Sequence, residues 1–217
     1  MRCLLLATLL LAVAAPSASA AVTVDIAIDP AETRWGSSTE ISGKVLSDGA
    51  PVAGQEVRLE GVRYPHKRAQ RVLDSTTTAA DGSYRFSRRF DRNWQVRVTA
   101  GTVASKRKRL YVFPRFTLSF VDRSERVVAF TQRYRVPRGV RLKTPTIFYV
   151  NRGGTATGPR RATAETERTG AGRYRSTALV RLPAAWNGRF RWGTCFRYSV
   201  GSGMGNPRAK CPKRLRF

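Results

Sequence analysis

The chain has one histidine, His66, three cysteines and only 14 Asp and Glu in 217 residues. Each scarcity excludes a class of chemistry. A serine nucleophile needs a base that a third group orients. His66 sits among cations in Tyr64-Pro65-His66-Lys67-Arg68 and has no obvious partner there, and no Gly-x-Ser-x-Gly elbow occurs. Glycoside hydrolysis needs two acids across a cleft. The second half offers only Asp122, Glu125, Glu165 and Glu167. The last two are expected on one face of a strand, paired with arginine. Asp25, Asp29 and Glu32, or Asp74 and Asp81, are too few and too irregular for a calcium loop. Gly201-x-Gly203-x-Gly205 lacks the strand-then-helix context and the following Lys-Ser/Thr of a phosphate loop, and reads as a flexible loop. No metal or cofactor is therefore expected.

Long apolar runs are also missing, with one exception. Residues 4–15, LLLATLLLAVAA, follow Met1-Arg2 and precede Pro16 and Ala18-Ser19-Ala20. That layout is expected of a secretory signal peptide over residues 1–20, cleaved after Ala20. The run is too short for a membrane span, and no later run approaches that length. The working protein is then exported into an oxidising space, with Cys3 removed. Cys195 and Cys211 remain as an even pair, expected as a disulfide. The loop so closed, of about 17 residues, is worth roughly 3 kcal/mol in the chain-entropy model.

What the chain has in excess is positive charge. The formal net charge is +26, unevenly spread. Residues 21–113 hold 16 basic and 10 acidic side chains, whereas residues 114–217 hold 23 and 4. Such asymmetry points to a polyanionic partner for the second half. A codon-driven excess of arginine is the alternative source of the charge. It explains less well why the acids vanish.

No long 3.6-residue apolar period appears after residue 20. Short alternating runs between turn residues appear throughout, and predict strands. In the first half these are 22–28, 38–46, 55–62, 71–78, 83–90, 94–100 and 108–113, with turns at Asp48-Gly49 and Asp81-Gly82. In the second they are 116–121, 126–136, 146–150, 161–168, 173–182 and 189–198. The tail beyond is expected to be irregular, pinned by the disulfide and frayed after Cys211. The basic run Lys106-Arg107-Lys108-Arg109 reads as a solvated edge strand. The fold class expected is all-β, as two antiparallel β-sandwich domains: 21–113 and a basic, disulfide-closed 114–217, with the boundary at Pro114.

Residues 50–86 carry a motif. Pro51, Val52, Gly54, Val57 and Leu59 are followed by Thr78, Asp81, Gly82, Tyr84 and Phe86. With RWGSSTEISGKVL before them, they resemble a carboxypeptidase regulatory-like or bacterial immunoglobulin-like module over about 22–113. The resemblance implies an immunoglobulin-like or transthyretin-like sandwich serving as spacer or adhesion unit, and assigns no ligand. The second half, from GRYRSTALVRL to GMGNP, resembles uncharacterised secreted actinobacterial proteins, which implies no activity.

Alternation in the second half separates aromatic from basic residues. In RFRWGTCFRY, Phe190, Trp192, Phe196 and Tyr198 oppose Arg189, Arg191 and Arg197. In RYRSTALVRL, Tyr174, Ala178, Val180 and Leu182 oppose Arg173, Arg175 and Arg181. In RVVAFTQRYRV, Val128, Phe130, Tyr134 and Val136 oppose Arg133 and Arg135. Side chains alternate across a strand, so the eight arginines are expected on one exposed basic face. Guanidinium groups bind carboxylate and phosphate bidentately. The function expected is therefore a secreted, non-catalytic protein. Its partners are anionic polymers: envelope polymers, acidic glycans or phospholipid headgroups, with non-specific nucleic-acid binding as a side effect. A structural spacer with no specific ligand is the alternative, and a cell-wall-active enzyme the third.

Overall fold

The computed structural model describes residues 20–124, 126–152, 160–186, 190–196, 198, 200–208 and 211. The fold is all-β, and no α-helix occurs among the described residues. The first half comprises β1 (Val22–Val24), β2 (Ala27–Asp29), β3 (Glu32–Arg34), β4 (Ser38–Ser47), β5 (Ala50–Pro51), β6 (Glu56–Arg63), β7 (Arg71–Thr77), β8 (Ser83–Arg89), β9 (Trp94–Ala100), β10 (Val103–Ala104) and β11 (Lys108–Phe113). The second comprises β12 (Arg115–Ser124), β13 (Val127–Arg135), β14 (Thr146–Arg152), β15 (Arg160–Ala164), β16 (Glu167–Gly170), β17 (Arg173–Arg181) and β18 (Phe190–Phe196). Short 3-10 turns cover Ala184–Trp186 and Val200–Ser202.

The strands form four sheets. In the first half, β4 pairs with β1, β2, β5 and β8, facing a sheet ordered β3-β11-β9-β6-β7 with β10 on β9. In the second half, a sheet ordered β12-β13-β17-β16 faces one ordered β15-β14-β18. Pairing is antiparallel except for β3 with β11. Turn chemistry places several connections. Asp48 and Gly49 both take positive φ, 51° and 82°, and close the β4–β5 hairpin. Asp81-Gly82 is also a tight turn, with the Gly82 amide on the Ala79 carbonyl. It joins strands of different sheets, however, since β7 pairs β6 and β8 pairs β4. The Ser83 hydroxyl and amide hold the Asp81 carboxyl below its ordinary range, at about 2.

Two single strands of the sequence reading are each divided. The run 22–28 breaks at Asp25-Ile26. Gly43 on β4 leaves the room: a Cβ there would lie 2.2 Å from the Asp25 carbonyl oxygen. The Tyr84 hydroxyl occupies that gap and donates to the same carbonyl. The run 161–168 crosses between sheets at Glu165-Thr166, so Glu165 and Glu167 do not share a strand face. Thr166 holds the crossing by donating to the Thr144 carbonyl at 2.7 Å.

The larger core joins both halves. Ile41, Val57, Leu59, Val98, Leu110 and Val112 are fully covered, and the same cluster takes in Tyr134, Val136, Val140, Leu142, Tyr174, Phe196 and Met204. A second cluster around Phe130, Phe148, Val150 and Trp186 fills the far end of the second half. Between its sheets runs a chain of hydroxyls: Tyr134 to Thr146 at 2.6 Å, Thr146 to Ser176 at 2.9 Å, and Ser176 to Thr166 at 2.9 Å. Every donor in that chain finds an acceptor, which makes its burial affordable and fixes the sheet spacing.

The tail is not a loose loop, and the residues after Cys211 lie outside those described. Cys195 on β18 is bonded to Cys211. Between them the chain crosses onto the first half. Asn93, 6% exposed, donates from Nδ2 to the Gly205 carbonyl at 2.8 Å and accepts the Val112 amide on Oδ1 at 2.9 Å. Its own amide reaches the Gly203 carbonyl at 2.8 Å, and the Gly205 amide reaches the Val112 carbonyl at 2.7 Å. Met204 is fully buried. The glycines here serve close packing: a Cβ at Gly205 would lie 2.2 Å from Tyr198 Cγ. A flexible loop was the expectation because composition cannot show that Asn93 waits 112 residues away.

Candidate anion-binding groove

β17 shows the alternation without a break: from Arg173 to Arg181 exposed and buried positions alternate at every step. Tyr174, Ser176, Ala178 and Val180 point inward, so the odd positions form the outer face. Register then decides which arginines meet. β13 and β17 put Arg133 opposite Arg175 and Arg135 opposite Arg173. β12 puts Arg115 opposite Arg135 and Thr117 opposite Arg133. The outcome is a row Arg115–Arg135–Arg173 across three strands, about 10 Å wide at the usual strand spacing. A second row, Thr117–Arg133–Arg175, lies two residues further on, about 7 Å away.

The partners of these groups are few. Arg175 forms an ion pair with Glu167 of β16 at 3.5 Å. Arg133 donates to the Ser119 hydroxyl at 3.2 Å. Among the described residues Arg115, Arg135 and Arg173 have no carboxylate within ion-pair distance. Like charges directly opposed across strands oppose folding unless something neutralises them.

A groove of about 480 Å³ opens beside the rows, lined by Arg34, Ser37, Arg115, Phe116, Thr117, Arg133 and Arg135. The first half contributes Arg34 and Ser37 from the end of β3 and the turn after it. That turn is fixed by the Trp35 amide on the Phe113 carbonyl at 2.8 Å and the Ser37 amide on the Arg34 carbonyl at 2.9 Å. The Arg34 guanidinium lies over the Phe116 ring, 5.3 Å from its centre. Arg115 rests against Gly36, where a Cβ would come within 3.4 Å of its guanidinium carbon. Four guanidiniums thus converge from both halves, and no carboxylate lines the groove among the described residues.

The eight arginines of the sequence reading do not all share this face. Arg133, Arg135, Arg173, Arg175 and Arg181 lie on the outer face of the β12-β13-β17-β16 sheet. Arg181 stands at its far end, opposite Val127. Arg191 is exposed on β18, in the other sheet, opposite Asn151. Alternation fixes a side of a strand but not the sheet to which the strand belongs. Arg189 and Arg197 lie outside the described residues. Arg34 and Arg115 were missed. Arg115 could have been found by extending the alternation of β12 back to Pro114; Arg34 carries no local signal.

The other candidates fall elsewhere. His66 Nδ1 is 3.1 Å from the Val62 carbonyl, in the loop after β6. Among the described residues no three of His, Cys, Asp and Glu converge as a metal site would require. Beyond the arginine rows the same outer face turns to hydroxyls, with Thr131 and Thr177 at 3.1 Å.

No protein-family model and no curated protein matches the chain. Among solved structures it is similar to a DUF4785 family protein from Legionella pneumophila subsp. pneumophila str. Philadelphia 1, at a TM-score of 0.47 and 13% identity. The match covers 82% of this chain and 52% of that one, so the chain spans about half the length of that protein. A likeness at that level carries no statement about function.

Proposed function

We propose that the chain is an exported, non-catalytic protein that associates with anionic polymers through the arginine rows of β12, β13 and β17 and the groove beside them. The first half then serves as an immunoglobulin-like or transthyretin-like scaffold that contributes Arg34. The observation that carries the reading is the Arg115–Arg135–Arg173 row, three cations in direct cross-strand register with no carboxylate paired to them among the described residues. A strand of phosphate, sulfate or carboxylate groups laid along the rows relieves their repulsion and accepts bidentate hydrogen bonds. The groove's side chains are guanidiniums, hydroxyls and a phenyl ring. They hold charge and supply no base at neutral pH, which supports association over turnover. An exported setting fits the disulfide between Cys195 and Cys211.

The test uses the full chain and fluorescent polyphosphate, titrated at several salt concentrations. Changing Arg115, Arg133, Arg135 and Arg173 together to Gln removes four charges from the site. Changing Arg89, Lys106, Arg107 and Lys108 to Gln removes four exposed charges elsewhere. Each phosphate contact contributes about 0.7–0.9 to the slope of log affinity against log salt. The first set is expected to lower that slope by ~3 and the second by much less. Equal loss from both sets would mean that net charge alone binds the polymer. No loss from either would leave a spacer without a ligand.

A further inference from the structure

A second arginine cluster lies in the first half, away from the rows. It surrounds a cavity of about 420 Å³ between the end of β6, the loop 64–70, the start of β7 and the β8–β9 connection. Each of those four segments contributes one arginine to the lining, Arg63, Arg68, Arg71 and Arg92, with Tyr64 beside them.

Three of the four are held in place by one structural unit. Asp91 Oδ2 accepts from the Arg63 guanidinium at 2.9 Å and lies 3.4 Å from Arg92 Nε. Asp91 Oδ1 accepts from the indole of Trp94 at 3.3 Å. Trp94 is 4% exposed, and its ring carries the Arg71 guanidinium 5.1 Å from the centre. Asp91 is therefore fixed from below by a buried tryptophan, and orients two arginines above it. Trp94 itself positions the third. Arg92 Nε is buried and forms no hydrogen bond, because its contact with Asp91 is an ion pair without hydrogen-bond alignment. Among the described residues Asp91 is the one carboxylate that forms ion pairs with any of these four cations.

We propose that this cavity is a distinct binding site for a tetrahedral oxyanion, a phosphate or sulfate ester. Donors reach it from four chain segments. A tetrahedral oxyanion accepts along several directions at once, whereas a carboxylate accepts only in its own plane. The cavity is within the size range of small-molecule sites, so the ester's carrier, a sugar or polyol unit, fits beside the anion against Tyr64. Asp91 and Trp94 are positioning residues, and the arginines make the contact. The site shares no residue with the groove of β12 and β13, and it stands or falls independently of the polymer reading.

The test follows the Trp94 indole N–H resonance of the full chain during titration with inorganic phosphate, sulfate and acetate at constant ionic strength. Phosphate and sulfate are expected to shift it to saturation, and acetate is not. A preference between the first two separates a phosphate from a sulfate ligand. Arg68 is exposed, and Arg68→Gln is expected to weaken binding about tenfold, the worth of one charge-assisted hydrogen bond. Arg92→Gln is expected to weaken it at least as much. Asp91→Asn is the decisive variant. It raises the net charge by one, so general attraction would tighten binding, whereas a built site loses the orientation of Arg63 and Arg92 and binds more weakly. Tighter binding by Asp91→Asn, an equal response to acetate, or no change with Arg68→Gln would each overturn the proposal. Arg135→Gln with Arg173→Gln is expected to leave this titration unchanged. Loss of phosphate binding in that pair would merge the two sites and refute their independence.

Discussion

Replacing Asn93 with Ala tests how the two halves are joined. The substitution removes one side chain that satisfies the Val112 amide and the Gly205 carbonyl, at 2.9 and 2.8 Å. Val112 is fully buried and Gly205 is buried too, so water does not reach either group freely. An unsatisfied buried group costs about 1–3 kcal/mol. The Gly205 carbonyl and the Val112 amide together therefore predict a loss of about 3 kcal/mol, allowing for partial relaxation of the tail. In a chain of this size 1 kcal/mol moves the midpoint by about 2–4 °C, so Tm is expected to fall by roughly 6–12 °C. Urea unfolding of the disulfide-intact chain measures the energy. Amide exchange at Gly203 to Asn206 reads the cause, since the tail is expected to open before the sheets. Asn93→Asp is expected to cost at least as much, because it keeps an acceptor for Val112 but turns a carboxylate towards the Gly205 carbonyl. A loss under about 0.5 kcal/mol, with exchange at Gly205 unchanged, would refute the claim that Asn93 holds the tail.

Alkaline pH is expected to unfold the protein through two buried tyrosines, Tyr84 and Tyr134, and the half-buried Tyr198. Burial raises the ionisation of Tyr84, Tyr134 and Tyr198 well above the ordinary tyrosine range. The neutral hydroxyl is thus favoured in the fold, so stability is intact below the unfolded value of about 10 and declines as pH climbs beyond it. Three of the chain's seven tyrosines are expected to ionise only together with loss of near-ultraviolet dichroism; early, independent ionisation would contradict their burial. Cys195→Ala in the full chain is expected to cost about 3 kcal/mol in urea unfolding and to speed proteolysis near Met204; an unaltered tail would mean that Asn93 suffices without the disulfide.

Much of the strand pattern was legible because its cause is local. In β17 alternation alone gives the inward Tyr174 and Ala178 and the outward Arg173 and Arg175, since the side-chain period of a strand is two. In β9, Trp94, Val96 and Val98 follow the same rule. Legibility ends where a residue's role depends on distant chain. Gly43 divides β1 from β2 only because Asp25 and Tyr84 arrive beside it. Glu165 and Glu167 look like neighbours on one strand, yet the chain changes sheets between them. The arginine face was half visible. Period two gives Arg133 and Arg173 their side, but only register makes Arg135 the neighbour of both Arg115 and Arg173. Arg34 joins them through a parallel contact of β3 with β11, a pairing that no short window of sequence encodes.

The ion pairs bear on why so much arginine is present. Six of those formed among the described residues lie in the first half: Lys44–Asp81, Arg58–Glu56, Arg63–Asp91, Arg85–Glu40, Arg92–Asp91 and Arg97–Glu60. Among the described residues of the second half there is one, Arg175–Glu167. A codon-driven excess of arginine raises the basic count in both halves and has no reason to withhold acids from one. It also has no reason to respect register, yet Arg115, Arg135 and Arg173 stand side by side across three strands. Their repulsion acts against folding in the free protein. Thr131 and Thr177, one row beyond Arg133 and Arg175 on the same face, show that the sheet accommodates neutral hydroxyl pairs in equivalent cross-strand positions. Selection for stability alone would favour such pairs in the arginine rows as well. That the sheet keeps Arg115, Arg135 and Arg173 opposed where hydroxyls fit, with no carboxylate paired to them among the described residues, supports the proposed binding of an anion from outside.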